Sequence, residues 1–456
     1  MASKTTSADG SRRSLASSFL RIKKTATIGV LGCLVALASV VATPVVAGAA
    51  PVPCGDSGAL VTAIAAVSAS GGTVTLTAGC TYTITASSDG TDGPNAFADI
   101  TGSVTIVGNG ATITRSTAGG TPDFRFFIVD NSGTLDISNV TLSHGSTPAA
   151  SGTPNHGGAA ILNRNVLNVS GVTFLDNNSQ ASTGGGAIDN HDTGVLTVTN
   201  STFSGNIALQ GGAIEDEATL CHTTTPDCGR AIVTNSTFTN NSTTSFGGGG
   251  FESQLDAASP AVCVDQTTFP RASCQQAGGA HDTLTGNTFS GNTAITEGGG
   301  IANFGTMTVS NSTLYNNSAG SGGGGGVQNT GSISIVQSTI AANSSAFGAN
   351  LHYFNGQPTA SMTALAMTIV TAGVTGANCS TPTGGPVIVD NGYNLDSGTS
   401  CGFSTSNHSL NSTDPMLGPL ASNGGPTQTM ARRLTRPRHP CRRTSWRPRQ
   451  TSTRWS

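Results

Sequence analysis

Three carboxylates occupy one recurring place in the chain. Asp189, Glu215 and Glu252 each follow directly on the branched or aromatic residue of a glycine-led phrase, GGGAID, GGAIE and GGGFE. Ala302 and Gln328 fill that place in later phrases, while Asp216 and Glu217 extend the charge beyond Glu215. If the phrases stack as strands, the acids stand about 4.8 Å apart and repel one another, so water or a cation must neutralise them. Three chemistries suit such a column. A hard cation such as Ca2+ takes several carboxylate oxygens, which makes Asp189, Glu215, Asp216 and Glu252 candidate calcium ligands. Paired carboxyls separated by roughly 5 Å, or by 6.5–9.5 Å, cleave glycosidic bonds. A Ca2+-acidified uronate can also lose its α-proton to a basic residue. The same four residues are therefore the catalytic candidates, and the plain alternative is an acidic ladder standing in water.

The elements that must position these residues are written out repeatedly. GGAAILN begins at Gly157, GGAIED at Gly211, GGGFES at Gly248, GGGIAN at Gly298 and GGGVQN at Gly324. Each leads to a closing phrase: Phe174 to Asn177, Phe203 to Asn206, Phe238 to Asn241, Phe289 to Asn292, Leu314 to Asn317 or Ile340 to Asn343. Such a period marks a repeat architecture whose units bury their apolar side only against neighbours. Short alternating runs of Val, Ile, Thr and Phe between Gly, Asn and Ser select strands over helices. The expected fold is all-β: a single-stranded solenoid, the right-handed parallel β-helix, about ten coils and roughly 50 Å long at the strand spacing. Leu196, Val198 and Phe203 then face inward and Thr197 and Thr199 outward. Asn200, Asn235 and Asn311 take equivalent bends, where asparagine tolerates left-handed backbone.

The paired GGAI and FxxN phrases resemble the repeats of chlamydial polymorphic outer membrane proteins. The closing segment, GYNLDSGTSCGF at Gly392 and DPMLGPLASNGGPTQT at Asp414, is similar to the end of the bacterial choice-of-anchor Q group. The resemblance spans about Ser103 to Thr429. It implies a surface or secreted protein of the pectate-lyase-like β-helix class, a group in which few members have an assigned chemistry.

Residues 1–49 read as a signal peptide, with a basic start (Arg12, Arg13, Arg21, Lys23, Lys24), an apolar run and the small-residue site Ala47-Gly48-Ala49. Residues 50–101 read as an N-terminal cap with a helix from Ser57 to Ala69, because an end coil exposes apolar side chains and unpaired strand edges. The β-helix follows over 102–430. Closing phrases sit 29, 35, 51 and 25 residues apart from Phe174 onward, which places insertions at 217–230 and 254–280. Both leave the coil at the same place, so they should project side by side. From Ala431 to Ser456 there are nine arginines, no acid and both tryptophans. We read this stretch as a basic disordered tail arising from a reading-frame slip, the alternative being a cationic tail that binds an acidic cell wall.

Composition excludes some partners. Between Ala50 and Met430 there are 22 acidic residues against five arginines and no lysine, a net charge of −17. Nucleic acid and anionic membranes are not expected partners, since phosphate binding needs clustered cations. No membrane span is expected in the mature chain, and a monomer is the expected state. Leaving out Cys33 and Cys441, eight cysteines fall into local pairs, Cys54–Cys80, Cys221–Cys228, Cys263–Cys274 and Cys379–Cys401. These predict four disulfides and a secreted, extracellular or cell-surface location.

The absences weigh against catalysis. No histidine is flanked by two glycines, and without lysine the body also lacks the Arg-x-Lys that, with Gly-His-Gly, marks β-helix polygalacturonases. For a lyase base only Arg230 and Arg271 lie near the column, and His144, His156 and His281 stand alone. The function expected is therefore a non-catalytic adhesion or polysaccharide-binding module with no cofactor beyond a candidate Ca2+. The alternative is a polysaccharide lyase or glycoside hydrolase acting on an acidic polysaccharide.

Overall fold

The computed structural model describes residues 50–90, 92–149, 157–180, 184–217, 230–254, 281–354, 362–381 and 388–433. The chain divides into two units, 1–48 and 49–456, and the described residues all lie in the second. The signal segment, nearly all of both insertions, residues 434–456 and the pairs Cys221–Cys228 and Cys263–Cys274 fall outside them.

Val195–Thr199 shows how one coil is made. Its residues alternate between Val, Thr and Leu, so Leu196 and Val198 are fully buried while Thr197 and Thr199 stay partly exposed. This strand pairs in parallel with Val166–Ser170 on one side and Arg230–Thr234 on the other. Repetition of that step produces a 20-stranded sheet, with nine- and six-stranded sheets completing each coil. Among the described residues every strand ladder is parallel except the hairpin of Leu417–Ala421 with Thr429–Arg432. The architecture is a right-handed parallel β-helix. At its N-terminal end an α-helix, Ser57–Val67, begins where the Asp56 carboxylate accepts the Ala59 N–H at 2.8 Å, and it buries Leu60 and Ile64.

Two features hold the coils in register. Phe174, Phe203, Phe238 and Phe289 stack face to face at 4.6, 4.7 and 4.5 Å, the coil spacing itself. Leu314 and Ile340 continue that inward column. Beside it runs an asparagine ladder. The side-chain amide of Asn177 donates to Asn206 Oδ1 at 2.9 Å, Asn206 to Asn241, Asn241 to Asn292 and Asn292 to Asn317, all at 2.9 Å, and Asn317 to Asn343 at 3.0 Å. These are the asparagines that close each FxxN phrase. The bend asparagines expected to be left-handed are so: Asn200, Asn235 and Asn311 have φ of 50°, 52° and 49°.

The double glycine answers a close approach. A Cβ on Gly248 would lie 2.0 Å from the Phe251 carbonyl oxygen and 2.8 Å from the Ala302 nitrogen of the next coil. No side chain fits where the turn folds back onto its own strand. Two disulfides, Cys54–Cys80 and Cys379–Cys401, tie the ends of the described region. No helix among the described residues is long and apolar enough to cross a membrane.

Candidate functional site

The nine-stranded sheet carries the acidic column. Asp189 pairs with Glu215 and Glu215 with Glu252, followed by Ala302, Gln328 and His352. The alignment of the repeats anticipates this register. It does not anticipate the environment, since Asp189, Glu215 and Glu252 are all fully buried rather than standing in water.

Hydrogen bonds to glycine turns account for most of that burial. A Glu215 carboxylate oxygen accepts the Gly184 N–H at 2.5 Å, and Glu252 accepts the Gly211 N–H at 2.8 Å, each on the coil before. In the coil where the column residue is Ala302, Glu297 supplies the missing carboxylate and accepts the Gly247 N–H at 2.6 Å. Gln254 donates its amide to the other Glu215 oxygen. Glu215, Glu252 and Glu297 thus cap turns whose N–H groups have no strand partner.

Asp189 differs. Gly157 N–H faces it without closing a hydrogen bond, and among the described residues neither carboxylate oxygen has a donor in bonding geometry. Burial pushes its pKa up to about 6 against the opposing pull of His191. His191 stands two residues on in Ile188–His191, hence on the same face, and its register partner is Glu217. His191 Nδ1 lies 3.1 Å from a Glu217 carboxylate oxygen and 3.9 Å from Asp189 Oδ1, and Nε2 lies 3.3 Å from Asp192 Oδ1. Burial disfavours the charged ring, yet the hydrogen bond to Glu217 and the charges of Asp189, Glu217 and Asp192 outweigh it, and the pKa rises to about 9. Arg125, also buried, donates to the carbonyls of Gly157 and Gly158 and to Asn95.

Asp216 does not join the column. It points to the opposite face of Ile214–Glu217, where it continues a second buried ladder: Asn163 donates to Asn190 at 2.6 Å and Asn190 to Asp216 Oδ1 at 2.8 Å. There it faces Asp282, an acid in the inward column between Ala231 and Met307, with Ser253 alongside. Burial first, and then the neighbouring Asp282, hold Asp216 well above the ordinary carboxylate range, and burial raises Asp282 too.

A pH dependence follows. A carboxyl whose folded pKa is raised contributes stability that is present below its unfolded value, about 4, and lost as pH rises through the folded one. In chelator-containing buffer the melting temperature should therefore fall as pH rises from about 4, with Asp189 contributing up to about pH 6. Asp282→Asn keeps an acceptor for the Ala231 N–H and offers Asp216 a donor. It should flatten the decline and raise neutral-pH stability by roughly 1–3 kcal/mol; an unchanged profile would remove the pair as its cause.

Of the four candidate residues, then, the structure gathers Asp189, Glu215 and Glu252 and separates Asp216. His191, Asp282 and Glu297 lie outside the recurring acidic position of the repeats and join these clusters only through the fold. Strand alternation was the available signal for His191, which lies i+2 from Asp189. Arg230 opens its strand at the edge of a groove with His281, while His156 and Arg271 fall outside the described residues.

No family model matches the chain, and no curated protein matches it. Among the solved structures similar to it are two from Azotobacter vinelandii. The mannuronan C-5 epimerase AlgE4 A-module is 13% identical with a TM-score of 0.40, over 80% of this chain and 92% of that one. The mannuronan C-5 epimerase AlgE6 A-module is 15% identical with a TM-score of 0.26, over 75% and 96%. Similarity at this level says nothing about chemistry.

Proposed function

We propose that the chain is a secreted or cell-surface module that holds a polysaccharide without cleaving it. The observation that supports this reading is the outer face of the 20-stranded sheet. Thr105, Asp136, Asn168 and Thr197 form one column there, and Ser138, Ser170, Thr199 and Thr234 form the next, each in register from coil to coil. A shallow cavity of about 230 Å³ runs over all of these residues but Thr234, and a second of about 240 Å³ lies between Arg230, His281 and Thr306. Asn168 Nδ2 donates to Asp136 Oδ1 at 2.8 Å, which holds an amide and a carboxylate at the surface for sugar hydroxyls. The body's excess of acid opposes an anionic chain, so a neutral glycan is the expected class. The two disulfides suit an oxidising compartment.

Cleavage of an acidic polysaccharide at the column is the weaker reading, because Glu215 and Glu252 are buried and already bonded to glycine N–H groups. A glycan array followed by calorimetry on the best binder tests the proposal. The double variant Asn168→Ala, Thr197→Val should weaken binding about tenfold, or about 1.4 kcal/mol, with no new reducing ends released. Undiminished binding would exclude this face, and accumulating product would exclude a purely binding role.

A further inference from the structure

The cluster at Asp189, His191 and Glu217 has no part in glycan binding on the other sheet, and turn capping does not account for it. One carboxylate oxygen or ring nitrogen from each lies within 4.8 Å of the others. All three side chains are buried, drawn from adjacent strands in register. Around a tetrahedral ion with bonds near 2.1 Å, ligand atoms stand roughly 3.4 Å apart. The His191 distances of 3.1 Å to Glu217 and 3.9 Å to Asp189 bracket that value.

Two further observations point to an ion. The first is Asp189, fully buried with neither oxygen hydrogen-bonded among the described residues, although a buried carboxylate ordinarily secures partners. Its oxygens lie over a glycine: a Cβ on Gly184 would stand 2.4 Å from Oδ2. The second is the orientation of the imidazole. Nε2 faces the Asp192 carboxylate at 3.3 Å while Nδ1 turns toward Asp189 and Glu217. A carboxylate behind the far nitrogen is the usual support of a metal-ligating histidine, because it fixes the tautomer and aims the other nitrogen's lone pair.

We propose that Asp189, His191 and Glu217 form a binding site for one transition-metal dication of the Zn2+ class, with Asp192 as the residue that orients His191. The imidazole decides the class, since Ca2+ and Mg2+ prefer all-oxygen shells while imidazole with carboxylate suits Zn2+. Two carboxylates balance the charge of such an ion. Three protein donors leave its fourth position for water or a ligand oxygen. This site differs from a calcium column at Asp189, Glu215, Asp216 and Glu252, in which Glu215 and Glu252 have other partners and Asp216 points away.

The test is calorimetric titration of the EDTA-treated, dialysed protein with ZnCl2, and separately with CaCl2. One Zn2+ should bind per chain. Asp189→Asn and His191→Gln should each weaken it at least about 100-fold, and Asp192→Asn by about 10- to 100-fold. No stoichiometric Zn2+ binding, or equal affinity in all three variants, overturns the site; Ca2+ binding as tight as Zn2+ overturns the role of the imidazole. Should the variants not fold, X-ray absorption of the Zn2+-loaded parent still decides. One imidazole nitrogen among oxygens is expected, and two or more imidazoles would place the ion on other histidines.

Discussion

Asn241→Ala should cost about 4 kcal/mol, measured by urea unfolding. The side chain sits mid-ladder. Its Oδ1 accepts from both the backbone N–H and the amide of Asn206, at 3.0 and 2.9 Å, and its own amide donates to Asn292 Oδ1 and to the Phe203 carbonyl. Alanine removes all four bonds at once in a site with no exposure. The two donors of Asn206 are left without an acceptor, which is the expensive outcome, whereas Asn292 Oδ1 still accepts the residue 241 N–H. In a repeat protein stabilised by nearest-neighbour contacts the loss is local, so hydrogen exchange should accelerate first in the coils closed by Asn206 and Asn292. A cost below about 1 kcal/mol would mean that the ladder follows the stack of coils rather than stabilising it.

Phe203→Ala should cost roughly 3–5 kcal/mol, and calorimetry should show melting about 5 °C lower. The ring lies between Phe174 and Phe238, almost parallel to both at 7° and 2°, and is wholly buried. Strands paired on both sides cannot move together to fill the space, so most of the cavity remains. Phe203→Leu should lose less than half as much, because Leu314 and Ile340 occupy the same column without disturbing the register. Equal losses for leucine and alanine would show that ring stacking, not volume, carries the energy.

Much of this was open to reading in the chain. The FxxN phrase announces where each coil closes, and the alternation in Val195–Thr199 announces which side chains face in; that the closing asparagines form the ladder was decided by the stacking of the coils. The acidic column was legible as a register but not as an environment. Glu215 and Glu252 are buried because the glycine turns beside them leave N–H groups that an acceptor from the next coil reaches, as Glu297 does where Ala302 cannot. Asp282 was hidden for a different reason. Its strand, His281–Thr285, begins directly after the long insertion, so its place in the inward column depends on pairing with Arg230–Thr234 and Thr306–Ser310.

By itself the sequence determined the repeat, the strand type, the inward and outward faces and the residues that close each coil, because these depend on local alternation and turn chemistry. The tertiary structure decided which acids share a face with His191, which of them already hold a backbone donor, and which remain without one. Those outcomes depend on contacts between residues 26 to 51 positions apart, where a strand's period of two sends Glu215 and Asp216, neighbours in sequence, to opposite faces of the same sheet.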